Sequence, residues 1–286
     1  MNVPVPRGVK PVVPAMRVLL YAASVLVAPI ALLFVLPDRT DTLAAWPIKP
    51  PLTAATLGAA YLGAFFLAFL AARQTIWARA RIAFPAIFII SVLLLIATLL
   101  HLDRFHFNHP AAFTRFLAWL WLVAYALFPV VMPLALLIQL RQPGTDPPRV
   151  APLPGWYRAL LVVQGIICVL VGAILFLTPA LGMDIWPWEL TPLTARALGG
   201  WAVAMGALAL HAAWENDWPR LPAMMAGYTV LGVLQLVNLA RFAATPAWNS
   251  AAAWLYLAVI VVVTFTGGYG WLKTRQETHR EGAHAL

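Results

Sequence analysis

The chain has 286 residues, 63% of them hydrophobic and only 10% charged, with a mean hydropathy of +0.84. Soluble domains carry about 25% charged residues, so this composition excludes a water-facing globule and indicates an integral membrane protein. The net charge of +9 falls in loops between apolar runs, which excludes a nucleic-acid footprint, and the lone Cys168 excludes an internal disulfide.

In chain order, a tail (1–14) precedes an apolar run at 15–36. Its core is too long for a signal peptide and no small-x-small cleavage site follows, so it reads as a retained span. Further runs near 53–72, 83–102 and 115–139 each suffice to cross a bilayer, which takes about 20 residues. The Pro- and Gly-rich stretch 141–156 reads as a linker. Runs near 157–178, 193–213, 222–241 and 251–272 follow, then a tail from 274 to 286. The predicted fold class is all-α and polytopic, with eight transmembrane helices.

An even number of spans puts both termini on one side. The loops of that side hold 13 basic and five acidic residues, those of the other side six and five. By the positive-inside rule the first side is cytoplasmic, in a cell membrane. The expected partners are the bilayer itself, anionic lipids on the cytoplasmic face, and a membrane-protein partner or a second copy of the chain. No cofactor is expected.

The chain also resembles itself. At an offset of 141, Pro51, Leu52, Thr53, Ala54, Leu57 and Gly58 meet Pro192, Leu193, Thr194, Ala195, Leu198 and Gly199. Arg17 meets Arg158, and Trp77 meets Trp218. The offset falls to 137 at Pro85/Pro222 and to 135 at "AWLWL" (118–122) over "AWLYL" (253–257). Four spans per repeat insert the same way up. The expectation is two parallel four-helix repeats, 15–140 and 157–273, about a pseudo-two-fold axis along the membrane normal.

The repeat singles out candidate sites. Thr98, His101 and Arg104 near the end of the third span correspond to Gln235, Asn238 and Arg241 near the end of the seventh. Steps of three keep them on one side of a helix, and polar groups at membrane depth tend to face a bundle interior or watery cleft. With Asp103, these are candidate ligand-binding residues, and headgroup snorkelling is the alternative. "TFTGGYGW" (264–271) resembles a potassium filter by one letter, but it ends an apolar run and flows into "WLKTR", with no pore helix before it. Its Gly267, Gly268 and Gly270 lie opposite Pro129 and Pro133 of the fourth span, so both repeats weaken one helix at one depth. These five are candidate helix-break or gating positions, close helix packing being the alternative. The loop "HLDRFHFNHP" offers His106 and His109 as weak metal candidates, and no complete metal signature is present. Trp46, Trp77, Trp186, Trp188 and Trp218 flank the loops as an interfacial belt would.

Three functions fit this reading: a small-solute transporter or channel with its path at the repeat interface, a non-catalytic membrane subunit or scaffold, and an enzyme acting on a lipid or quinone through residues 101–109. No acidic residue falls near the middle of a span, which weighs against proton coupling.

Overall fold

A backbone in hydrocarbon must satisfy its own hydrogen bonds, and an uninterrupted helix does so within one segment. The computed structural model describes residues 8–284 and holds eight helices long and apolar enough to span a bilayer. They are α1 (Pro14–Val35), α2 (Pro51–Ala72), α3 (Trp77–Leu99), α4 (Ala112–Arg141), α5 (Gly155–Leu177), α6 (Pro192–Glu215), α7 (Pro222–Arg241) and α8 (Ala251–His284). The protein is a multi-pass integral membrane protein. Arg7, counted in the charge tally, lies outside the described residues, as do the side chains of Arg280 and Glu281.

Local chemistry sets the helix ends. Proline opens α1, α2, α6 and α7, where its missing N–H has no intrahelical partner to lose. In α6, Thr191 and Thr194 close a reciprocal capping box, and Asn216 (φ 47°) ends the helix in the left-handed region. In α1, Pro29 cannot donate, and the helix tightens to a 3-10 turn over Pro29–Ala31 before resuming.

The eight helices form a centre and two flanks. Within each half, α1 packs on α2, α3 on α4, α5 on α6 and α7 on α8; between halves, α2 packs on α7 and α3 on α6. The inner helices α2, α6 and α7 are 67%, 61% and 61% buried over their apolar windows, whereas α4 is 17% and α8 28% buried. The outer faces of α4 and α8 are therefore left for lipid.

One face, here the linker face, carries the chain ends and the α4–α5 connection. The segment before α1 bonds across the α2–α3 loop through Val12 N to Thr75 O (2.9 Å) and Trp77 N to Lys10 O (3.0 Å). The segment before α5 crosses the α6–α7 loop through Leu153 N to Asn216 Oδ1 (3.1 Å) and Trp218 N to Ala151 O (2.9 Å).

The tryptophan expectation is corrected. Trp46, Trp77, Trp188 and Trp218 are buried and Trp186 half-buried, because the loops fold back over the bundle; Trp119, Trp156, Trp214 and Trp254 are the exposed ones.

Candidate functional site

Three sites join residues far apart in sequence. The first is an ion-pair cluster on the linker face. Glu215, at the end of α6 and fully buried, accepts from Arg81 of α3, from Arg220 Nη1 (2.9 Å) and from His211 Nε2 (3.3 Å). Arg81 also pairs with Asp146 of the linker, and Arg220 with Asp217 (3.2 Å). Asp217 in turn accepts from the backbone of Val150 and Ala151, and Arg149 donates to Glu215 O (2.7 Å). Three guanidinium groups face three carboxylates, which is the balance that buried charges require.

The second site is the seam between the halves. Gly63 of α2 and Gly227 of α7 face each other so closely that a Cβ on either would lie 2.9 Å from the other's carbonyl oxygen. A void of about 50 Å³ remains beside them, lined by Ala60, Gly63, Ala64 and Leu67, by Trp201, Ala204, Met205 and Leu208, and by residues of α3 and α7. Its walls are apolar. At the opposite face the seam opens into a polar crevice of about 420 Å³ bearing Asp38, Asp41, Lys49 and Glu189, while nearby Trp188 Nε1 donates to Thr53 Oγ1 (2.9 Å).

The third site lies within the N-terminal half. A cavity of about 130 Å³ is enclosed by α1 (Ala23, Val27, Leu33), α2 (Leu57, Tyr61), α3 (Ile90, Ser91), α4 (Trp121, Tyr125, Phe128) and the loop at Trp46. Its polar feature is a hydroxyl pair, Tyr61 to Tyr125 at 2.7 Å. No charged residue lines it. The C-terminal half is closed tightly: Gly172 and Gly199 of α5 and α6, and Gly165 and Gly206 a turn or two away, stand where an added Cβ would meet the opposing carbonyl at 2.6 to 3.0 Å. At 141 residues before Gly165, Leu170, Gly172 and Gly206 stand Ser24, Pro29, Ala31 and Phe65. Larger side chains and one proline hold α1 off α2 where glycines let α5 and α6 close.

The sequence-predicted stripes take different partners. Thr98, buried, donates to Leu94 O and accepts from Trp121 Nε1 (3.0 Å). α3 ends at Leu99, so His101 (φ −139°) stands past the helix, where Arg196 Nη1 of α6 donates to its Nε2 at 2.7 Å. Partial burial, and then the Arg196 charge, push the His101 pKa below 6.5. Asp103 and Arg104 form an exposed pair (3.0 Å). Gln235 and Asn238, both buried, meet each other at 3.5 Å, and Gln235 donates to Thr56 O of α2 (3.0 Å). Arg241 donates to Phe34 O and lies over the Phe34 ring. One stripe faces α4 and α6, the other α2: two seams, with no cavity described here lined by both.

α4 runs unbroken through Pro129 and Pro133, as α8 does through Gly267, Gly268 and Gly270. Gly267 backs onto Tyr228 and Thr229 of α7, Gly270 onto Met225 and Tyr157, and Gly268 onto open space. His106 Nδ1 contacts Ala44 O (3.1 Å) and His109 Nδ1 accepts from Ala111 N (3.2 Å), so both rings serve the loop. Among the described residues no group of three or more His, Cys, Asp or Glu is disposed to hold a metal.

Tyr61, Tyr125 and the Glu215 cluster were missed from sequence. The available signal was the repeat itself, where Val9 and Pro11 match Val150 and Pro152 and mark the two loop-crossing segments. No family model, curated protein or solved structure matches this chain.

Proposed function

We propose that this protein is a non-catalytic binding protein of the bilayer, in which the C-terminal half is a rigid support and the N-terminal half holds an apolar molecule. The observation that carries this reading is the 130 Å³ apolar cavity between α1 and α4. Its size compares with an engineered apolar cavity of about 150 Å³ that stays dry and binds benzene.

The two halves are proposed to be parallel repeats, with the linker face cytoplasmic. The paired backbone bonds Trp77 to Lys10 and Trp218 to Ala151, each 141 residues from its counterpart, support this. So does the seam void, where Ala60, Gly63, Ala64 and Leu67 stand 141 residues before Trp201, Ala204, Met205 and Leu208. The excess of basic residues in the linker-face loops supports the orientation.

Transport along the seam, the other reading a duplication invites, would require parting Gly63 from Gly227 and opening the Glu215 cluster. The dry packing there favours holding over passage. A role as a membrane subunit is favoured by one observation, the bare apolar flank of the 30-residue α4.

Thermal unfolding of the purified, delipidated protein with benzene or naphthalene tests the binding reading. Stabilisation that is lost when Ala124→Phe fills the cavity is expected. No stabilisation by any apolar probe would sink it.

A further inference from the structure

The chemistry of the cavity narrows its occupant, granted that the N-terminal half binds an apolar molecule. Two tyrosine hydroxyls carry two protons, and their mutual hydrogen bond uses one. Neither hydroxyl has another hydrogen-bond acceptor among the described residues, so the pair retains one proton to donate. Trp121 Nε1 is engaged by Thr98, and Ser91 donates to Phe88 O. The cavity therefore presents a single free donor in an apolar wall, and an unmatched donor in such surroundings costs free energy until an acceptor arrives.

Depth gives a second constraint. Tyr61 stands ten residues from the start of α2 and eleven from its end. At 1.5 Å per residue the hydroxyl pair is about 15 Å from either membrane surface, near the bilayer centre. A phospholipid headgroup does not reach that level. No charged side chain lines the cavity to balance an ion.

The third constraint is the way in. The 3-10 turn at Pro29 interrupts α1 where it borders the cavity, and the adjoining wall residues Leu26, Ile30 and Phe128 are partly exposed on the flank of the bundle, with Pro29 exposed. A body larger than a ring can leave its remainder in the bilayer through this side.

We infer that the site takes a neutral lipid whose oxygen-bearing end, an alcohol or carbonyl, is hydrogen-bonded by the Tyr61–Tyr125 pair at the bilayer centre, with its apolar body directed toward Pro29. An isoprenoid alcohol and a prenylated quinone share this chemistry.

The test compares three probes on the full chain in detergent: farnesol, a short-chain prenylated benzoquinone, and farnesane, the hydrocarbon with the farnesol skeleton. Dissociation constants come from thermal-stability titrations. One neutral hydrogen bond should make at least one oxygenated probe bind about three- to tenfold more tightly than farnesane. The tighter of the two identifies the head. Tyr61→Phe and Tyr125→Phe should each abolish the preference while farnesane binding persists. Equal binding of all three probes to the wild type overturns the inference and leaves the apolar chamber standing. Failure of all three to bind overturns both.

Discussion

Glu215 gathers more charge than any other carboxylate described, and its side chain has no exposure to solvent. Removing one partner of a buried ion pair typically costs 3–5 kcal/mol, because the other charge is stranded. Glu215→Gln should therefore destabilise the protein by about 3 kcal/mol, and Arg81→Gln comparably. Chemical unfolding in detergent checks this, and the double variant should lose clearly less than the sum of the singles. Additive losses would mean that the two do not act as one unit. His101 offers a pH-dependent counterpart. Its pKa is held below 6.5 by partial burial and by Arg196. Between that lowered value and 6.5 the unfolded chain binds more protons, so stability should rise with pH across this window. An NMR titration should place the His101 midpoint below 6.5, and Arg196→Gln should raise it; a wild-type midpoint at or above 6.5 would contradict the pairing.

Glycine separates the two halves at the scale of the helix. Gly199 has the Gly172 carbonyl oxygen 2.7 Å from where its Cβ would be, whereas Gly268 has open space there. Gly199→Ala should force α5 and α6 apart and cost roughly 1–3 kcal/mol, as overpacking does. Gly268→Ala should be neutral or stabilise by up to about 1 kcal/mol through helix propensity. Melting temperatures of the two variants should move in different directions, and a large loss at Gly268 would return a mechanical role to the Gly-rich string. Pro29 acts in the opposite sense to the glycines. Pro29→Leu places at this position the residue type found 141 positions later in the unbroken α5. It should straighten α1, narrow the cavity and weaken binding of apolar probes.

Across the whole molecule, the crossed segments at 9–13 and 150–154 and the ion-pair cluster tie the linker to both halves on one face. Reporter fusions or cysteine labels on the two tails should report the same compartment, the cytoplasm. A split result would remove the parallel arrangement and the assignment of the linker face with it.

The number of spans was legible from residues alone, since each apolar run is a local property and hydrocarbon admits no other backbone solution for it. The runs at 53–72 and 193–213 became α2 and α6 within two residues at each end. The polar stripes were legible as polar, not by their partners. Nothing near Thr98 in sequence specifies Trp121, and nothing near His101 specifies Arg196. The cavity was less legible still, because it arises from differences between matched positions, Pro29 for Leu170 and Phe65 for Gly206, whose effect depends on how the helices are rotated against one another. Hydropathy and charge act through the solvent and can be read one segment at a time. Close packing acts between atoms brought together from distant parts of the chain, so only the folded bundle decides where it succeeds and where it leaves a chamber.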